Sequence, residues 1–223
     1  MISDYFNYDV DSLNHVIPDL ELDSFTDQEW GLHKYNNPLF KVMNNVFTVD
    51  EISKIIFTGK QSSWNLGEVG SELGGTRVDP SIRKSKISWL RMNQFNYWIY
   101  ERITEIINEV NSSSWEYNLN FLKTIQFSEY DCKYEGKYVQ HVDSKYGNNM
   151  STIDRKLSFS VQLSDTEDYF GGDLQLNTCG TVKAPRTKGS IIIFPSHVLH
   201  EVTPVTEGVR YSLVGWVIGE KLK

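Results

Sequence analysis

The chain has 223 residues, of which 39% are hydrophobic, 23% charged and 13% aromatic, enough for one full domain with a sizeable core and cramped for two. Its formal net charge of -7 argues against an affinity built on neutralising backbone phosphates, and no apolar run reaches bilayer-spanning length. Neither nucleic acid nor a membrane is therefore an expected partner. Cys132 and Cys179 cannot make a disulfide framework, and "MISDYFNYDV" lacks the basic start and apolar run of a secretory leader, so the expected setting is cytoplasmic. Oligomeric state is left open.

In chain order, residues 1–38 mix acids, asparagines and scattered aromatics without a sustained period and read as an irregular extension. Residues 39–223 read as a single domain, with helical support over 39–120 and a β core over 121–219. In "NVFTVDEISKIIFTGK", Thr48 or Asp50 can cap a short helix whose apolar side uses Ile52, Ile55 and Ile56 and which ends near Gly59. Residues 62–86 are glycine-rich with little apolar periodicity, which predicts a long loop, either a lid or a plain connector. Phe95, Trp98, Ile99, Ile103, Ile106 and Val110 then recur at helical spacing. From Phe121 onward, short β-branched or aromatic runs separated by Gly, Pro, Asp or Asn predict about eight strands. The expected fold is mainly β with flanking helices, a jelly roll with the helices packed on one sheet.

One strand shows a sharp alternation. In "RKLSFSVQLS", Leu157, Phe159, Val161 and Leu163 share one face while Ser158, Ser160 and Gln162 share the other. An open sheet would turn that polar face to water; a closed jelly roll covered by helices would turn it into an internal cavity.

Five histidines are present, and His15 and His33 in the irregular N-terminal part are set aside. His141 and Asp143 lie at i and i+2 in "VQHVDSKYG", so on extended backbone both project to one side, where they can reach one ion. Val142 between them should point the other way, into buried contacts. Two His and a carboxylate on one face is the donor set of non-haem iron centres that leave positions open for a cosubstrate and O2. His200 or His197 could supply the second imidazole; His200 is preferred because it precedes a strand start and because a tight hairpin through Pro204 and Gly208 would bring Arg210 alongside. Arg210 opens the apolar strand "RYSLVGWVIG" and, if buried, needs a carboxylate. At the strand's exposed start it would instead pair with a surface acid such as Glu207.

The order His-x-Asp, His, Arg resembles the iron- and 2-oxoglutarate-dependent dioxygenases, most closely their prolyl-hydroxylase branch, the PKHD and oxygen-sensing enzymes. The resemblance spans roughly residues 40–219 and includes "SIRKSKISWL", "LKTIQFSEYDCKYEGKYVQHVDS", "YFGGDLQL" and "APRTKGSIIIFPSHVLHEVTPVTEGVRYSLVGW". It implies a double-stranded β-helix with His141, Asp143 and His200 as Fe(II) ligands and Arg210 holding the distal carboxylate of 2-oxoglutarate. Tyr130 matches a tyrosine that adds a hydrogen bond to that carboxylate, and Gln162 sits where some relatives place a second one. Tyr138 and Trp216 match aromatics lining the pocket near the metal, Leu174 matches an apolar wall, and residues 62–86 match a substrate-closing loop. The cofactors implied are Fe(II), 2-oxoglutarate and O2, with ascorbate as a conceivable reductant. The implied reaction is hydroxylation of a C–H bond, most naturally of a prolyl residue in a protein or peptide, releasing succinate and CO2. The alternatives are the same chemistry on a free amino acid or other small molecule, and a non-catalytic jelly-roll binding module. A nucleic-acid dealkylase is disfavoured because Trp216 stands where that branch has a second arginine, and a hydrolytic zinc site gives Arg210 no task.

Overall fold

A computed structural model of the chain describes residues 38–70, 75–144, 152–177 and 180–221, which belong to one compact unit over 37–223. The expected N-terminal extension, with His15 and His33, lies outside the described residues apart from Pro38.

The elements run β1 Lys41–Met43, α1 Val49–Gln61, β2 Asn65–Leu66, β3 Glu68–Gly70, β4 Thr76–Val78, β5 Arg83–Lys84 and β6 Lys86–Leu90. Then come α2 Tyr97–Ser112, β7 Leu119–Leu122, β8 Ile125–Asp131, β9 Lys137–His141, β10 Ile153–Gln162, β11 Tyr169–Gly171 and β12 Leu174–Asn177. The chain finishes with β13 Thr181–Lys183, β14 Ile191–Pro195, β15 Leu199–Val202 and β16 Val205–Glu220. One sheet has the order β1-β14-β10-β16-β8-β6-β2, with β7 and β11 also on β16; the other has the order β13-β12-β15-β9-β5; β3 and β4 form a separate hairpin. All the pairings are antiparallel, and the core strands β8, β9, β10, β12, β14, β15 and β16 alternate between the two sheets, as a jelly roll requires.

Two apolar clusters divide the interior. One joins α1 and α2 to the outer face of the larger sheet through Ile52, Ile99, Ile103, Phe127, Phe159 and Leu213. The other lies between the sheets and includes Tyr130, Tyr169, Leu174, Ile192, Phe194 and Val202. The helices thus cover one face of one sheet, as expected, and both faces of β10 are buried: Leu157, Phe159 and Val161 toward the helices, Ser158, Ser160 and Gln162 toward the inner space.

Thr48 caps α1, its hydroxyl accepting from the Glu51 amide while the Glu51 carboxylate accepts from the Thr48 amide, a reciprocal capping box. The helix continues past Gly59 to Gln61, because Gly59 is a contact rather than a cap. A Cβ there would overlap the Phe127 ring, so only glycine lets α1 come this close to β8. In α2 the buried stripe is Ile99, Tyr100, Ile103, Ile107 and Val110; Phe95 precedes the helix and is 80% exposed, and Ile106 is half-buried. Burial of each such isoleucine is worth roughly 1.5–3 kcal/mol. The Tyr100 hydroxyl donates to the Leu90 carbonyl and accepts from the Ile125 amide, tying α2 to β6 and β8.

Two expectations are corrected here. Residues 62–86 are not an unstructured connector: they hold β2, the β3–β4 hairpin and β5, with residues 71–74 outside the described set. These strands are too short and too polar to show a period, and pairing makes them strands: β2 pairs with β6, and β5 with β9. Nor do β15 and β16 form a hairpin. After β15 the chain passes through Thr203 and Pro204 into the other sheet, where β16 pairs with β8, β10 and β11. Arg210 therefore faces the histidine pair from the opposite sheet instead of lying beside it.

Candidate metal centre

The inner space is built from two sheets that contribute different chemistry. On the smaller sheet, His141 at the end of β9 and His200 in β15 stand directly opposite each other in the ladder. Asp143 lies two residues beyond His141, and the three side chains offer ligand atoms that all lie within 4.8 Å of one another. The His141 Nε2 is 3.9 Å and the His200 Nε2 3.4 Å from the Asp143 carboxylate oxygens, close to what one ion holding each donor at about 2 Å can span. His197, the other candidate imidazole, is exposed and outside the cluster.

Both imidazoles are set for coordination before any ion binds. The His141 Nδ1 is 2.8 Å from the Val139 carbonyl and the His200 Nδ1 is 2.9 Å from the Val198 carbonyl. A carbonyl can only accept, so each Nδ1 carries a proton, and Nε2 is the ring nitrogen left to meet an ion. Burial, followed by the neighbouring His200, pushes the His141 pKa down to about 4, which leaves the ring neutral near pH 7. Burial works against ionisation of Asp143 too, but His200, His141, Arg155 and the Ser158 hydroxyl outweigh it and hold the carboxyl below its ordinary range. Two imidazoles presenting Nε2 and an ionised carboxylate fit the facial donor set of non-haem Fe(II).

The segment carrying Asp143 is fixed from the β14–β15 turn. The Asp143 and Ser144 amides donate to the Ser196 carbonyl, and Ser158 Oγ donates to Asp143 Oδ2 at 2.7 Å while meeting Ser196 Oγ at 2.9 Å. Val142, expected to be buried and to anchor its strand, is 41% exposed. The strand ends at His141, and beyond it Ser196 holds the backbone of Asp143 and Ser144 in place.

On the larger sheet, β16 alternates: Arg210 and Ser212 turn inward, while Tyr211, Leu213 and Val217 join the cluster under the helices. Arg210 is 3% exposed, so pairing with a surface acid such as Glu207 does not occur. Its Nη1 lies 3.4 Å from Ser212 Oγ, its guanidinium lies 5.6 Å from the ring centre of Tyr130, which it faces in the ladder, and no carboxylate among the described residues pairs with it. Ser160, Gln162, Tyr169, Leu174, Arg186 and Ile192 line the same cavity as Arg210. Tyr138 stacks on His141 with ring centres 3.6 Å apart, and Arg83 of β5 lies 4.7 Å over the other side of Tyr138. Trp216 lines a groove of about 580 Å³ with Trp89, Arg91, Phe121, Lys123 and Arg155. Arg155 links groove and metal centre: it lies 4.0 Å over the Trp216 ring and reaches Asp143 at 3.4 Å.

Ser158, Arg155, Tyr169, Arg186 and Ser212 were not assigned roles from sequence. Ser212 carried a usable signal, two residues after Arg210 on the same strand face. Arg186 lies in an aperiodic loop and carried none.

Residues 125–218 match the family model described as the 2OG-Fe(II) oxygenase superfamily. A PKHD-type hydroxylase of Prochlorococcus marinus is 31% identical over 159 residues, covering 70% of this chain and 67% of that protein. The chain belongs to the 2OG-Fe(II) oxygenase superfamily. Within it the chain falls in the PKHD-like branch, and Fe(II), 2-oxoglutarate and O2 are the cofactor and cosubstrates that membership brings. A second PKHD-type hydroxylase, from Hyphomonas neptunium, is 42% identical over 91 residues, covering 39% of this oxygenase and 40% of that protein. The fold matches a prolyl hydroxylase from Trichoplax adhaerens, solved with a hypoxia inducible factor peptide fragment, at a TM-score of 0.66 and 18% identity, covering 82% of this chain and 84% of that one. It also matches a viral collagen prolyl hydroxylase from Paramecium Bursaria Chlorella virus-1, solved with 2OG, at a TM-score of 0.65 and 17% identity, covering 84% and 99%. Among the described residues of this oxygenase no helix is long and apolar enough to cross a membrane.

Proposed function

We propose that this oxygenase hydroxylates a C–H bond of a prolyl residue in a protein or peptide, with 2-oxoglutarate converted to succinate and CO2. The observation that carries the reading is the buried Arg210 guanidinium, unpaired with any carboxylate among the described residues and facing the His141, Asp143 and His200 cluster from the opposite sheet. A buried cation left unpaired is costly, and a planar fork is matched by a carboxylate. A ligand with a carboxylate at one end and metal-chelating oxygens at the other satisfies both sheets at once.

Bound Fe(II), with 2-oxoglutarate and O2, supplies the oxidising power. The protein supplies geometry. His141 and His200 present Nε2, Asp143 presents a carboxylate fixed by Ser158, and Arg210, with Ser212 and Tyr130 beside it, receives the distal carboxylate. Leu174 and Ile192 keep that cavity dry on one wall, which strengthens the charge pairing. Trp216, Trp89 and Arg155 line the groove of about 580 Å³ beside the Asp143 carboxylate, where a peptide segment would lie. The prolyl reading draws its support from the two solved prolyl hydroxylases that share the fold, one of them solved with a peptide.

The test is succinate formation from 2-oxoglutarate with Fe(II) and a panel of proline-containing peptides, comparing the wild type with His141→Ala. Peptide-stimulated succinate that disappears in the variant is expected. Equal turnover in both proteins would sink the metal assignment, and turnover that no peptide stimulates would remove the prolyl reading.

A further inference from the structure

We propose that the hydroxyl of Tyr169 donates a hydrogen bond to the distal carboxylate of the cosubstrate alongside Arg210, with Gln162 and Arg186 as positioning residues that fix its direction. This deepens the cosubstrate reading and rests on it.

Tyr169 is 1% exposed and lines the cavity that also holds Arg210. Its phenol oxygen accepts two hydrogen bonds, from Gln162 Nε2 at 2.9 Å and from Arg186 Nε at 3.0 Å. Chemistry fixes both directions. A guanidinium has only donors, and Gln162 Nε2 also donates to the Ser164 carbonyl at 3.1 Å, which orients the amide. A phenol that accepts twice keeps one proton of its own, and that O–H has no acceptor among the described residues. A buried hydroxyl proton without an acceptor costs free energy, and here it belongs to a group lining the same inner cavity as the buried Arg210 guanidinium. The O–H is thus left to donate into the cavity, where an anionic acceptor would satisfy it and Arg210 together.

Geometry ties Tyr169 to Arg210. Gly172, at φ +61, separates them: a Cβ there would lie 3.2 Å from Cε2 of Tyr169 and 3.3 Å from Cδ of Arg210. The phenol edge and the arginine stem thus flank one glycine. Arg186 holds the ring from its other side, its guanidinium 4.0 Å from the ring centre and its Nη2 donating to the Tyr169 carbonyl at 2.6 Å. The result gives a task to Gln162, which the resemblance places where some relatives have a tyrosine. Here the glutamine holds a tyrosine that arrives from β11.

Calorimetric titration of Mn(II)-loaded protein under nitrogen tests this, with 2-oxoglutarate and, as a control, 2-oxobutyrate, which keeps the 2-oxo acid end and lacks the distal carboxylate. Tyr169→Phe should weaken 2-oxoglutarate binding roughly ten- to hundred-fold, the range for a hydrogen bond to a charged group, and leave 2-oxobutyrate binding within about twofold. Arg186→Met should weaken 2-oxoglutarate by a smaller, several-fold factor with the same selectivity, and it tests the idea if Tyr169→Phe does not fold. Unchanged 2-oxoglutarate affinity in both variants, or an equal loss for both ligands, overturns the proposal. If the wild type binds 2-oxoglutarate no better than 2-oxobutyrate, the cosubstrate reading itself fails, an outcome distinct from either.

Discussion

Ser158→Ala should weaken metal binding by about tenfold while leaving the fold intact. Asp143 is 8% exposed, and its Oδ2 accepts from Ser158 Oγ at 2.7 Å with His200 Nε2 at 3.4 Å, while Oδ1 has Arg155 at 3.4 Å and His141 Nε2 at 3.9 Å. Among the described residues the serine thus supplies the one short side-chain hydrogen bond that orients the carboxylate before an ion arrives. A hydrogen bond to a charged group is worth roughly 1.5–3 kcal/mol, or about ten- to hundred-fold in an equilibrium constant, the same range found for outer partners of metal ligands. The lower end is expected, because the Asp143 and Ser144 amides stay bonded to the Ser196 carbonyl and keep the backbone in place. Ser196→Ala should do less, since its hydroxyl meets that of Ser158 and not the carboxylate. Free Mn(II), monitored by electron paramagnetic resonance during titration of each protein, gives the Kd directly, with thermal melting of the metal-free proteins as the control. A Kd for Ser158→Ala within twofold of wild type would show that the carboxylate needs no orienting hydroxyl. A matching collapse of melting temperature would show that the serine acts on the fold instead.

Gly59→Ala, a change that favours an exposed helix, should here cost about 1–3 kcal/mol, because the new Cβ would overlap the Phe127 ring; urea unfolding measures it, and a stabilised variant would contradict the close approach of α1 to the sheet. Glu51 is held down to about 2, first by its hydrogen bond to Arg102, with burial opposing and Thr48 assisting. That folded value lies below the unfolded value of about 4.3, so the contribution is complete above pH ~4.3 and is lost as pH falls toward 2. Glu51→Gln should therefore be up to about 1 kcal/mol less stable than wild type near neutrality, with the difference closing across that window; a gap that persists at pH 2 would rule out the ion pair as its source.

Periodicity made part of the fold legible. The helical stripe of α2 and the alternation of β10 each come from one local rule, and each needs only the sequence to state which face is buried. The stripe still drifted, because Phe95 shares the spacing but lies ahead of Tyr97, where the helix begins, and no local rule forced the start that far along. The strands between residues 62 and 86 were invisible for a different reason. β2 and β5 are two residues long and exist only as partners of β6 and β9, so their information lies in the sheet they join. The base of that glycine-rich segment nevertheless touches the site, through Arg83 over the ring of Tyr138, which itself stacks on His141.

The site divides along the same line. His141 and Asp143 need nothing beyond extended backbone to share a side, so their pairing could be seen in "VQHVDS"; His200 and Arg210 came from their order in the chain and from a resemblance, and the path expected between them was wrong. Pro204 and Gly208 favour a turn and so predict a hairpin, but Pro204 serves a passage between sheets, and Gly208, at φ +70, meets the Asp168 carbonyl, where a side chain would clash. Passing between sheets puts Arg210 across the inner space from the His141, Asp143 and His200 cluster, a separation that a two-ended ligand can bridge and a hairpin would have closed. The supporting residues depend on register: Gln162 stands opposite Ser212, Ser158 opposite Trp216, and Arg210 opposite Tyr130. A shift of one residue in any of these ladders would turn every inward polar side chain into the helix-covered apolar layer. The apolar faces of β10 and β16, Phe159 and Leu213 among them, forbid that shift. Thus Phe159 and Leu213, on the sheet face turned toward the helices, also set the register on which the polar site on the other face depends.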